Sequence, residues 1–209
     1  LKLITGVLVL PQRNPLVLAK HLATIDHMTG GRLELGIGVG WLREEFEALG
    51  VPFERRGART DEYIGAMRAL WAADDAAYGG EFVNFKGMSS NPKPIQAPLP
   101  IVVGGHSEFA ARRAGRLGDG YFPATGWSGD IKPLLAMVRE EAEKCGRDHD
   151  KIQITTGLDP DDLIGSAQRM AELGATRVVV PSTQFRDDVP GSLERYAAEV
   201  IAPVQERLA

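Results

Sequence analysis

Cysteine is all but missing from this chain of 209 residues. Cys145 stands alone in the charged run EEAEKCGRD, so no disulfide can form within the chain, and a reduced, cytoplasmic setting is the expectation. No histidine lies beside Cys145 to activate its thiol, which reads as a bystander near a helix end. Metal motifs are also missing: there is no C-x-x-C and no H-E-x-x-H. His21 and His27 fall six residues apart on one predicted helix, which does not bring them to one face. No apolar run approaches roughly 18 residues, so no membrane span is expected, and no leader pattern opens the chain. A net charge of −4 without a basic block argues against nucleic acid as a partner. Neither G-x-x-x-x-G-K-[ST] nor G-x-S-x-G occurs, which removes the P-loop and the nucleophile elbow.

What is present is an ordinary globular composition, 44% hydrophobic and 25% charged, enough for one sizeable core. Leu1 to Leu10 reads as a strand buried on both faces, with Gly6 as a bulge or a place where a ligand meets backbone. Asn14-Pro15 starts a helix that Gly30-Gly31 ends. The stretch Arg32 to Phe46 is an apolar strand running into Gly36, Gly38 and Gly40, then Trp41. A helix over Thr60 to Ala72, capped by Thr60, follows the basic group Arg55, Arg56 and Arg59, one of which is a candidate for an anionic ligand. Tyr78 to Lys86 reads as a hairpin, and the proline-rich run Asn91 to Pro100 as a fixed connector. Strand and helix then alternate: Ile101 to Val103, Glu108 to Leu117, Tyr121-Phe122, Ile131 to Cys145, Lys151 to Thr156, Asp161 to Leu173, Arg177 to Val180, and a last helix from Ser192 to Leu208 broken or kinked at Pro203. Six strands each followed by a helix imply a parallel sheet in one domain over residues 1–209, either doubly wound or part of a (β/α)8 barrel.

Two glycine-rich stretches carry the chemistry. The first fails the dinucleotide fingerprint G-x-G-x-x-G/A, because the sixth position is Trp41 or Arg43. The second, Gly104-Gly105-His106-Ser107, lies between a strand and a helix. There Ser107 can cap the helix, and the amides behind it are free for a phosphate. A tight turn with a plain capping serine fits the same residues, and His106 is either a further donor or an exposed turn residue.

The blocks TGVLVLPQRNPLVLAKHLATIDHMTGGRLELGIGVGWLREEFEALGVPFERRGARTDEYIGAMRALW and IVVGGHSEFAARRAGRLGDGYFPA resemble the luciferase-like monooxygenase family, and within it the deazaflavin-dependent oxidoreductases. The resemblance covers almost the whole chain. It implies a (β/α)8 TIM barrel lacking its first two strand–helix units, with six strands present and residues expected upstream of Leu1. It implies a cofactor at the carboxyl ends of the strands: coenzyme F-420, with FMN as the alternative. Carried over residue by residue, it implies that Gly6 and Val7 form a bulged, non-prolyl cis peptide behind the ring. Gly104, Gly105, His106 and Ser107 become the cofactor-phosphate loop. Trp41 stands where some members carry a glutamate, so an indole lines the pocket in place of an acid. No catalytic residue is named, since the groups around the reacting carbon belong to strands outside this chain.

The expected activity is hydride transfer between the deazaflavin and a small organic substrate. The alternatives are an FMN-dependent monooxygenase and a non-catalytic remnant or interaction protein with open sheet edges. An unrelated phosphate-binding barrel is a weaker one, which would carry Lys or Glu in place of Trp41. Substrate choice would rest on the absent strand ends and on loops such as Thr125 to Asp130. A homodimer formed partly through the helix Pro15 to Met28 is a further expectation of the resemblance.

Overall fold

The computed structural model describes residues 1–123, 130–181 and 188–208. All but the last residue of the loop Thr125 to Asp130 lies outside them. The chain opens with two short strands, β1 (Leu3–Ile4) and β2 (Leu8–Val9), which pair in parallel with the lower and upper halves of β3 (Leu33–Gly38). They are one strand interrupted at Thr5 to Val7, where the Gly6-Val7 peptide is cis. The sheet continues in parallel through β6 (Ile101–Gly104), β7 (Gly120–Phe122), β8 (Gln153–Gly157) and β9 (Ala175–Val179). Counting β1 and β2 as one, six parallel strands form a curled half-barrel. The strands β4 (Ala76–Gly79) and β5 (Asn84–Met88) form a separate antiparallel hairpin. Its turn is held by the Glu62 carboxylate, which accepts from the amides of Glu81, Phe82 and Val83.

Alternation decides which face of the sheet is which. Leu33, Leu35 and Ile37 on β3, Ile101 and Val103 on β6, and Tyr121 on β7 are buried in one cluster with residues of the helices outside the sheet. That outer layer is α1 (Pro15–Met28), α3 (Arg56–Ala72), α4 (Glu108–Leu117) and α5 (Lys132–Lys144), with α2 (Arg43–Ala48) in the β3–α3 connection. The chain ends with α6 (Leu163–Glu172), α7 (Val189–Tyr196) and α8 (Ala202–Leu208). Glu34, Gly36 and Gly38 alternate with the β3 core residues and face the concave side.

Three local readings change. The first strand is not covered on both faces: Leu3, Ile4 and Val7 are each more than 40% exposed, because the strand lies at the sheet's edge and only β3 pairs with it. The third helix starts at Arg56, a turn before Thr60, with Arg55 at positive φ as its first flanking residue. Nothing in Arg56-Gly57-Ala58-Arg59 breaks a helix, and the buried Arg59 secures the preceding turn by donating to the carbonyls of Pro52 and Glu54. Thr60 lies inside, its hydroxyl donating to the Arg56 carbonyl at 2.8 Å. The last helix runs from Val189 to Leu208 without a break at Pro203, the irregularity expected there taking the form of a π-helical turn over Ala197–Ile201 between α7 and α8, two residues before Pro203. A wider turn accommodates a proline ring that would crowd the carbonyl four residues back.

The ends of the half-barrel differ. On the concave side, Arg177 of β9 donates two hydrogen bonds, of 2.7 and 2.9 Å, to the Glu34 carboxylate on β3, and Lys2 adds an ion pair at 3.0 Å. Burial pushes the Glu34 carboxyl up, but the hydrogen bonds and charges of Arg177 and Lys2 outweigh it and hold the carboxyl below its ordinary value.

Candidate functional site

At the carboxyl ends of the strands lies a cleft of about 1120 Å3. Its lining includes Gly6, Val7, Trp41, Gly104, Gly105, His106 and Ser107, so the structure brings the seven sequence-selected residues to one place. Strand interruption and glycine placement are two sides of one packing solution. A side chain at Gly36 would overlap the Thr5 carbonyl oxygen, and the Thr5 hydroxyl donates to the Gly36 carbonyl at 2.7 Å. One step further, Val7 sits across two glycines. A Cβ on Gly38 would lie 3.0 Å from Val7 Cγ2, and a Cβ on Gly104 2.9 Å from Val7 Cγ1. The alternate glycines of β3 therefore make room for the backbone and side chain of the neighbouring strand, and Val7 becomes an apolar floor for the cleft. Gly40, at φ +77°, turns the chain where a side chain would strike Phe46 and Val9.

The loop after β6 is fixed from below. The Gly105 amide donates to the Phe122 carbonyl at 3.1 Å, and the Tyr121 hydroxyl donates to the Gly105 carbonyl at 2.9 Å. Ser107 caps α4, its oxygen accepting from the Ala110 amide at 3.2 Å. The amides of Glu108 and Phe109 open the helix and have no carbonyl within it to donate to. Their donors and the positive end of the helix dipole suit an anion. His106 lines the cleft and makes no hydrogen bond among the described residues.

Sequence reading missed one wall. Phe109, Arg112, Arg113 and Arg116 all line the cleft, and their spacing of three, four and seven puts them on one face of α4. That periodicity was the signal that could have found them. Most of the cleft's arginines are committed. Arg55 pairs with Glu81, Arg112 with Glu141, and Arg113 and Arg116 share Asp61. Arg56 differs. Its Nε donates to the Gly40 carbonyl at 2.9 Å and its guanidinium lies 3.8 Å from the centroid of the Phe53 ring, yet it forms no ion pair among the described residues. Of the three arginines weighed from the sequence, Arg59 is structural, Arg55 is paired at the rim, and Arg56 is the cation left facing the cleft.

Two aromatic rings stand at the mouth. Trp41 is 81% and Phe109 80% exposed, and these are the exposed large aromatic side chains among the described residues. Elsewhere, His27 Nε2 is hydrogen bonded to the Lys93 carbonyl at 2.7 Å. No metal-binding cluster occurs among the described residues, and no described helix is long and apolar enough to cross a membrane.

The profile of the family described as luciferase-like monooxygenase matches residues 1–160. The uncharacterized protein Rv0953c of Mycobacterium tuberculosis is 35% identical over 203 residues, covering 96% of this chain and 71% of its own length. The FMNH(2)-dependent dimethylsulfone monooxygenase of Pseudomonas putida is 37% identical over 150 residues, covering 70% of this chain and 41% of that enzyme. Among solved structures, the coenzyme F-420-dependent tetrahydromethanopterin reductase of Methanopyrus kandleri superposes with a TM-score of 0.80 at 18% identity, covering 97% of this chain and 83% of that one.

Proposed function

The chain belongs to the luciferase-like monooxygenase family, and from that premise we propose that it is an oxidoreductase holding a phosphate-bearing flavin-type cofactor in the cleft above β2, β3 and β6. The observation that carries the proposal is the cleft itself. It joins an apolar floor at Val7, glycines at Gly38 and Gly104 that keep side chains away, and a helix-opening loop at Gly104 to Ser107 with unspent donors. These residues fit a flat ring with a phosphate at one end: the ring would rest near Val7 and Trp41, the phosphate on the loop, with Arg56 as a cation facing the same space. Coenzyme F-420 is the preferred occupant, and the chemistry it supplies when bound is transfer of a hydride to or from a small organic substrate. The protein's share is to position the ring, exclude water with Trp41 and Phe109, and fix the phosphate.

FMN is the second reading, favoured by the 37% identity to the Pseudomonas putida FMNH(2)-dependent enzyme. Titrating the purified chain with each cofactor, followed by absorbance and fluorescence, separates them. Saturable binding of F-420 with FMN at least tenfold weaker supports the first reading. The reverse order moves the proposal to FMN, and absence of binding to either refutes the oxidoreductase reading for this chain.

A further inference from the structure

The phosphate loop sits on a buried phenol. Tyr121 is fully buried, in the hydrophobic core that the sheet shares with residues of α4 and α5. Its hydroxyl is the polar atom that reaches up to the loop, donating to the Gly105 carbonyl at 2.9 Å. Burial raises its pKa, so the hydroxyl remains a donor throughout the physiological range.

A trans peptide is planar, with its C=O and N–H pointing in opposite directions. The Gly105-His106 bond is not among the cis peptides. Drawing the Gly105 carbonyl down toward Tyr121 therefore turns the His106 N–H the other way, out of the helix layer and toward the cleft. Gly105 has φ +131°, a conformation open to glycine and strained for other residues, so local sterics alone would not choose this peptide orientation. The second restraint, Gly105 N–H to the Phe122 carbonyl, fixes the preceding peptide and leaves this one to Tyr121. A peptide rotated the other way would point a carbonyl oxygen at any bound anion.

We propose that Tyr121 is a positioning residue: its hydroxyl orients the Gly105-His106 peptide so that the His106 amide, with those of Glu108 and Phe109, donates to the cofactor's phosphate. The proposal rests on the cofactor reading above and adds to it a residue that never touches the ligand.

The test compares affinities for a ring with and without its phosphate. Wild type and Tyr121→Phe are titrated with FMN and riboflavin, and with F-420 and its phosphate-free deazariboflavin core. Phenylalanine keeps the ring packing and removes only the hydroxyl. Expected is a weakening of about tenfold for the phosphorylated ligand, the scale of one charge-assisted hydrogen bond, with the phosphate-free affinity unchanged. An equal loss for both members of a pair, or no loss for either, overturns the positioning role. A second measurement uses wild type alone. On adding inorganic phosphate, the His106 amide resonance should shift together with those of Glu108 and Phe109. Shifts at Glu108 and Phe109 with none at His106 overturn the proposal even if Tyr121→Phe does not fold. Absence of binding of any ring by wild type overturns the cofactor reading, a result distinct from either of these.

Discussion

Gly104→Ala is the substitution that most directly tests how the cleft floor is built. The new methyl would meet Val7 Cγ1 at 2.9 Å on one side and the Ile37 carbonyl oxygen at 3.2 Å on the other. Carbon atoms pack best at about 3.5–4.0 Å, so the Val7 contact is roughly 0.6 Å too short. Retreat is blocked by backbone at Ile37. Val7 cannot simply lean away, since its other methyl already rests over Gly38, and a β-branched side chain has few rotamers. Overpacking of this kind costs about 1–3 kcal/mol. Val7→Ala removes the obstruction. By itself it costs only about 1 kcal/mol, because Val7 is 43% exposed and surrenders only part of its apolar burial. In the double variant the alanine at 104 meets no Cγ methyl, and only the 3.2 Å contact with the Ile37 carbonyl oxygen remains, so most of its cost falls away. Urea denaturation of the four proteins gives the cycle. The expected coupling is about 1–2 kcal/mol in favour of the double variant. Additivity of the two changes within about 0.4 kcal/mol would show that Val7 does not sit on Gly104, and the account of the floor would fail.

The Glu34–Arg177 pair gives a pH prediction. With the folded-state carboxyl held below its ordinary 4.5, the contribution of Glu34 is whole above about pH 4.5 and is lost as pH falls from there through the folded value, so Glu34→Gln should flatten the acid limb of a stability–pH curve. Removing Arg177 leaves the buried Glu34 carboxylate with Lys2 as its remaining charge partner, so Arg177→Ala should cost about 2 kcal/mol at pH 7 by urea denaturation, less than a fully orphaned charge, a value under about 0.5 kcal/mol refuting the pair's role. Asp26 is fully buried and accepts from the Gln96 amide at 3.0 Å and from Gln96 Nε2 at 2.8 Å, so Asp26→Ala should destabilise by about 2–3 kcal/mol in the same assay through its orphaned donors. Trp41→Ala and Phe109→Ala should each leave stability within about 0.5 kcal/mol of wild type, as both rings are exposed, while weakening ring binding in the cofactor titration; a large stability loss would mean that the rings serve packing.

How far these features could be read from sequence depended on how local their causes are. Asn14 and Ser107 cap helices through bonds to amides two or three residues away, and both caps were legible. The strands β6 and β7 were legible too, as short apolar runs beside glycine, and α4 by its capping Ser107 and the Gly118 that follows it. The start of α3 was not, because Arg59 earns its burial from carbonyls of the preceding turn that no propensity describes. Gly36, Gly38 and Gly104 were visible as glycines, but their reason lies on another strand, in Thr5 and Val7. The α4 wall was present as a periodicity of Phe109, Arg112, Arg113 and Arg116, but what holds those arginines, Asp61 and Glu141, lies on other helices and cannot be read from α4 itself.

The same strand shows why the two ends of the half-barrel can be treated separately. Along β3 the concave positions are Glu34, Gly36 and Gly38. The first holds Arg177 of β9, 143 residues away, and so ties the second strand of the sheet to its far edge. The next two carry no side chain and yield their space to Thr5 and Val7, in the link between β1 and β2. Charge at the amino end closes the curl, and absence of side chains at the carboxyl end opens the cleft. This is the division expected of a barrel whose stability and chemistry occupy opposite faces. It follows that changes at Glu34 or Arg177 should alter denaturation midpoints with little effect on the relative affinity for phosphorylated and phosphate-free rings. Changes at Gly104 or Tyr121 should alter that ratio, and Gly104 should alter both, because it alone packs against the neighbouring strand while opening the phosphate loop.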